Sequence, residues 1–163
     1  TRLFEMYFGQ VCKHVYRYIP NERIAQDVAQ DLFVELWTKR DKLNITSSAG
    51  AYLHRMAASR ALNYIRDNKK HSHADVSEVP GITARQPSPD DIIDAKGMDA
   101  MIKSTIDGLP LRCRQVFMLS RFEHMTNTEI AEGLDISVKT VENQMTKALR
   151  TLRDAIEKYK ASE

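Results

Sequence analysis

The stretch MTNTEIAEGLDISVKTVENQMTKALRTLR, residues Met125–Arg153, decides how the whole chain is read. It sets a short helix, expected over Asn127–Gly133, beside a longer one expected over Val138–Tyr159. Thr126 and Glu129 stand three apart ahead of an apolar run, the spacing of a capping box. Ile130, Ala131 and Leu134 face one way on the short helix, and Gly133 is expected to permit the tight exit. Ser137 caps the second helix, whose inner stripe is Val138, Val141, Met145, Ala148, Leu149 and Leu152. A small residue such as Ala131 lets two helices cross closely. A short turn then holds them at a steep angle, which is helix-turn-helix geometry.

That geometry projects the N-terminal half of the second helix outward, where a DNA major groove can receive it. Asn143 suits adenine, Lys147 can donate to guanine, and Glu142 can accept from a cytosine amine. Lys139, Arg150 and Thr140 or Ser137 suit phosphate oxygens, and Thr146 completes the exposed set. Polar residues are cheap on any solvated face, so a plain helical hairpin is the competing reading. The close crossing, the cap and this face together favour DNA.

Working outward, the first seventy residues read as three helices. Arg2–Ile19 places Leu3, Tyr7, Val11, Val15 and Tyr18 on one face, and Pro20-Asn21 interrupts it. Glu22–Lys39 carries the strongest amphipathic stripe, Ile24, Ala25, Val28, Ala29, Leu32, Phe33, Leu36 and Trp37. Ser47 or Ser48 caps a third helix that turns Leu53, Met56, Ala57, Ala61, Tyr64 and Ile65 inward. The chain opens at TRLFEMYF without Met and already in helical rhythm, so its first helix is expected to start earlier. Helical pattern returns in Asp90–Asp107, up to the breaker Gly108-Leu109-Pro110, and in Leu111–Phe122. No segment reads as strand. The expected fold is all-α, with small helical domains at 1–70 and 90–163 joined by an acidic, proline-containing, flexible linker at 71–89.

Charge follows the same division. The formal net charge is only +2 over 163 residues, yet residues 1–70 hold 12 Lys and Arg against 7 Asp and Glu, while 71–100 hold 2 against 6. A basic block suits a polyanionic partner. Cys12 and Cys113 lack metal-ligand spacing, which fits a reduced, cytoplasmic protein. His71 and His73 lack a third ligand nearby and read as a solvated loop rather than a metal site. No apolar run is long enough to span a bilayer, and no secretory pattern precedes the first helix. His14, His54, His124 and Cys113 occupy no nucleophile-elbow or glycine-rich setting, so enzymatic activity is not expected. Neither a cofactor nor a metal is expected.

The segment LPLRCRQVFMLSRFEHMTNTEIAEGLDISVKTVENQMTKALRTLR resembles region 4 of bacterial sigma factors of the extracytoplasmic-function group. Quorum-sensing-type activators share much of that signature, so the N-terminal unit decides. There AQDVAQDLFVELW resembles region 2.2, and AYLHRMAASRALNYIRDNKK resembles regions 2.3 and 2.4. The wording of FMLSRFEHMTNTEIAEGLDISVKTVENQM is similar to sigma factors regulated through outer-membrane transporters and anti-sigma partners. The resemblance implies a sigma factor that binds core RNA polymerase at its β′ clamp and β flap and directs initiation at promoter DNA. It also implies control by an anti-sigma factor and no membrane insertion.

The implied roles fall on particular residues. Asp27, Gln30, Asp31 and Glu35 lie on the polymerase-facing side of the second helix. Tyr52, Arg55, Ser59, Arg60, Arg66, Lys69 and Lys70 belong to the −10 surface, where cations follow the backbone and aromatics stack on bases. Lys139, Thr140, Glu142, Asn143, Thr146, Lys147 and Arg150 belong to the −35 surface. Ser59 stands where relatives commonly carry Asn, and Glu142 is acid where many are basic, so base preferences are expected to differ from theirs. Two other readings remain: a helix-turn-helix activator that binds DNA without polymerase, and a sigma-mimic that titrates an anti-sigma factor.

Overall fold

The computed structural model describes residues 2–43, 48–68 and 97–162. Among them there is no strand, and the chain divides into two compact units, Thr1–Ser72 and His73–Glu163. The first contains α1 (Arg2–Tyr18), α2 (Glu22–Thr38), a single 3-10 turn at Arg40–Lys42, and α3 (Ala49–Asn68). The second contains α4 (Met98–Asp107), α5 (Leu111–Arg121), α6 (Asn127–Leu134) and α7 (Val138–Ala161). The expected linker, Ser47, Lys69, Lys70, His71, His73 and the stretch 90–96 lie outside the described residues.

In the first unit each helix packs on the other two. Val11, Val15 and Tyr18 of α1 meet Ala25, Ala29 and Leu32 of α2 and Leu53, Ala57 and Ala61 of α3, all buried. Ala25 and Ala29 on α2, and Ala57 and Ala61 on α3, are buried and put little bulk on the packed faces. Asn21 starts α2 by accepting from the Ile24 N–H at 3.1 Å, and Ser48 starts α3 by accepting from Ala51 N–H at 3.2 Å. Phe4, Phe8 and Phe33 form an aromatic cluster with centroids 4.6 to 6.2 Å apart. His14 of α1 stacks on His54 of α3 at 4.6 Å.

Trp37 corrects the expected stripe of α2, since it is 60% exposed rather than core. It sits in the last turn, and the Arg40 guanidinium lies over its ring at 4.3 Å. That cation–π contact gives the ring a polar-compatible cover outside the core.

The second unit is built around α7, which packs against α4, α5 and α6. Arg112 through Leu119 of α5 are all buried, polar residues included. Arg112 donates to the Gln115 side-chain oxygen at 3.0 Å, and Arg114 donates to the Asp107 carbonyl at 2.6 Å, which satisfies the end of α4. Helix α5 stops at Arg121 rather than Phe122, and α7 runs to Ala161 rather than Tyr159.

The turn between α6 and α7 differs from expectation in its chemistry. Gly133 lies inside α6, and the left-handed residue that ends the helix is Asp135, with φ 54°. Aspartate tolerates this conformation better than most residues with a side chain, so no glycine is required. The Asp135 N–H returns to the Glu132 carbonyl, and Ile136 N–H reaches Ala131 at 2.9 Å. Val138, expected inside, is 40% exposed, and Gln144 is buried instead.

Candidate nucleic-acid and partner interfaces

The α6–α7 pair has the geometry of a helix-turn-helix fixed at both ends. Thr126 Oγ1 accepts from Glu129 N–H while the Glu129 carboxylate accepts from Thr126 N–H, both at 3.2 Å, which closes the capping box. Ser137 Oγ accepts from Thr140 N–H at 3.0 Å and starts α7. Val141, Gln144, Ala148 and Leu152 then bury one side of α7.

The opposite side carries the expected reading residues. Lys139, Glu142, Asn143, Thr146, Lys147 and Arg150 are all exposed, and Thr140 is half-buried. Two hydroxyls are already engaged. Thr146 donates to the Glu142 carbonyl at 2.9 Å, so its oxygen can only accept from outside. Thr140 and Ser137 share a hydroxyl contact at 2.9 Å. Behind this face the Cys113 thiol is pushed up to about 11 by burial, with the nearby Lys147 charge opposing the rise. Cys113 is therefore a neutral packing group, not a nucleophile. Cys12 is also raised, again chiefly by burial.

In the first unit α2 presents Asp27, Gln30 and Asp31 to solvent. Between them and the helix end, Val34 is 65% and Trp37 60% exposed. This face is therefore acidic at one end and apolar at the other. The apolar end was missed because Trp37 fits a helical core stripe as well as it fits this surface. Glu35 departs from the expected set: it is half-buried, bonded to Lys39 at 2.6 Å and paired with Arg60 of α3.

On α3, Arg55, Ser59 and Arg66 are exposed at helical spacing, and Tyr52 is half-buried. Asn63 belongs with them: it is exposed four residues after Ser59, and Arg66 donates to its side-chain oxygen at 3.1 Å. The interval Arg55–Ser59–Asn63 was the signal that marks it. Arg60 leaves the cationic strip and turns across a groove towards α2. Val28, Asp31 and Glu35 wall that groove on one side, with Ser59, Arg60, Asn63 and Tyr64 on the other. Lys69 and Lys70 lie outside the described residues.

Among the described residues no three His, Cys, Asp or Glu are grouped to hold a metal, and no helix is long and apolar enough to cross a membrane.

Comparison with known proteins runs along the same two units. Residues 3–71 match the family description "Sigma-70 region 2", and residues 99–152 match "Sigma-70, region 4". The chain is 26% identical over 160 residues to the ECF RNA polymerase sigma factor SigW of Bacillus subtilis, covering 93% of this chain and 85% of that one. It is 23% identical over 159 residues to the ECF RNA polymerase sigma-E factor of Escherichia coli, covering 93% and 83%. In fold it is similar to the sigma factor RpoE of Bartonella quintana, solved with the anti-sigma factor NepR, at TM-score 0.50 and 14% identity over 94% of each chain.

Proposed function

Because the chain belongs to the sigma-70 family, as an extracytoplasmic-function sigma factor carrying regions 2 and 4, we propose a division of labour among three of its helices. Helix α2 docks on the polymerase clamp through Asp27, Gln30 and Asp31, with Val34 and Trp37 as its apolar anchor. Helix α3 holds the melted −10 strand along Arg55, Ser59, Asn63 and Arg66, with Tyr52 beside them, and Lys69 and Lys70, next in the sequence, add charge for the same strand. Helix α7 reads the −35 major groove through Asn143, Lys147 and Glu142, while Lys139, Thr140, Thr146 and Arg150 hold the backbone.

The observation that carries this reading is the separation of faces on α7. Every residue suited to base edges or phosphates is exposed, or half-buried at Thr140, while Val141, Gln144, Ala148 and Leu152 close the core. A groove-reading helix needs both properties at once. The protein acts in the cytoplasm, as a regulator without chemistry of its own. An anti-sigma factor holds it inactive by covering these faces, a role supported by the fold shared with a sigma factor solved in such a complex.

Reconstituted transcription tests the assignment. Core polymerase supplemented with this chain is expected to initiate at a subset of a promoter library. DNA binding with no polymerase-dependent initiation would indicate an activator, and binding to neither would indicate a mimic.

A further inference from the structure

Thr146 places its hydroxyl hydrogen on the Glu142 main-chain oxygen at 2.9 Å, one turn back along α7. Only lone pairs are left on that oxygen, so outward it bonds to donors alone. A DNA phosphate offers acceptors and no donor, so Thr146 bonds one only by giving up Glu142. Its position points the same way. Successive helical residues turn by about 100°, which faces Thr146 about 160° away from both Gln144 and Ala148. Those two are buried, and Thr146 is exposed with Glu142 on one flank and Asn143 on the other. The middle of a groove-filling helix looks at base edges, while the phosphates stand along its sides. Lys139 and Arg150 share this side of α7, but their side chains are long enough to leave it for the backbone. A threonine is too short.

We infer that Thr146 reads a base, and that this base carries an exocyclic amine, adenine or cytosine. The inference rests on the proposed reading of α7 as the −35 helix, and it moves Thr146 from the backbone set to the base-reading set. In the major groove the donors are adenine N6 and cytosine N4, whereas guanine and thymine present the oxygens O6 and O4. Every base pair carries one amine and one oxygen there. Reading the amine therefore fixes which strand holds adenine or cytosine at that step. Glu142 adds rejection. Its exposed carboxylate, one turn away, also only accepts, so a base oxygen brought beneath the two side chains meets lone pairs from both. The Thr146 contact itself is a single neutral hydrogen bond, worth about fivefold in binding.

The test measures binding of reconstituted holoenzyme to fluorescent promoter duplexes whose −35 element is selected by the transcription assay. At each position on either strand in turn, adenine is replaced by purine, or cytosine by its counterpart without the amine. Wild type, Thr146→Val and Thr146→Ser are compared. At one position, deleting the amine is expected to weaken wild type about fivefold and Thr146→Val by less than about twofold. Thr146→Ser keeps the hydroxyl and is expected to behave like wild type, which guards against a folding artefact. If Thr146→Val still feels every amine deletion in full, the inference falls, and a uniform loss of affinity would return Thr146 to the backbone. A preference for thymine that Thr146→Ser loses also overturns it, because the methyl group then does the reading. A wild-type holoenzyme indifferent to the −35 sequence overturns the reading of α7 and this inference with it.

Discussion

The thiol of Cys113 donates to the main-chain oxygen of Gln144 at 3.4 Å, tying α5 to the buried side of α7. Burial raises this thiol from its ordinary value of 9.0 to about 11. The folded state therefore keeps a proton that the unfolded chain gives up sooner. The associated stability is complete below about pH 9 and is lost as pH rises towards 11. Calorimetry between those values is expected to show a falling melting temperature for the second unit, with a shallower fall in Cys113→Ala. At pH 8 an alkylating agent should label Cys12, which is part-exposed, before Cys113. Equal labelling rates in the native chain would contradict the burial.

Lys147 and Arg150 are expected to separate base reading from phosphate holding. Lys147→Ala should change base preference on a −35 library at a cost of about 1–3 kcal/mol on the preferred site. Arg150→Ala or Lys139→Ala should weaken binding on all sequences and flatten its salt dependence. Repeating the library at two salt concentrations distinguishes them. Uniform loss from every variant would leave this face an electrostatic handle only.

Binding to core polymerase should depend on both ends of the α2 face. Replacing Gln30 and Asp31 together with Ala should weaken the complex while native helicity is retained. Trp37→Ala should weaken it roughly tenfold or more, as expected of a large aromatic anchor at an interface. A fluorescence titration against core polymerase reads both. Unchanged affinity in Trp37→Ala would return that ring to a local role with Arg40.

The turn chemistry of the second unit is open to stability measurements. Thr126→Ala removes one half of the capping box and should cost about 1 kcal/mol in chemical unfolding. Asp135→Val places a β-branched side chain at φ 54° and should cost about 1–2 kcal/mol. Gly133→Ala should be nearly neutral or stabilising, because Gly133 is helical and only half-buried. A large loss on Gly133→Ala would show that the packing around α6 leaves no room for a Cβ there.

Much of this molecule is legible in its sequence because helical faces repeat. Val11 and Val15, Ala25 and Ala29, and Ala57 and Ala61 announce three buried faces at the right intervals, and all six are buried. Spacing fails at the edge of a stripe. Trp37 and Val138 satisfy the rhythm of their helices but fall outside the packed contact, whereas Gln144 is buried despite its polarity. Spacing is also silent on backbone handedness: it points to glycine as the helix stop, whereas Asp135 takes that role. Pairings between distant residues leave no local trace. Glu35 and Arg60 stand on different helices, one near the end of α2 and the other midway along α3, and nothing in either neighbourhood shows that they meet.

On α7, the residues that close the core of the second unit, Val141, Gln144, Ala148 and Leu152, are different from the exposed Glu142, Asn143 and Lys147 that we propose read DNA. Surface substitutions away from caps and buried networks usually change stability by no more than about 0.5 kcal/mol. Glu142, Asn143 and Lys147 can therefore be exchanged one at a time with little risk to the scaffold. A duplicated copy of this chain can drift to new promoters through a series of folded intermediates. The same independence makes the helix a practical template for building regulators that act on separate gene sets within one cell.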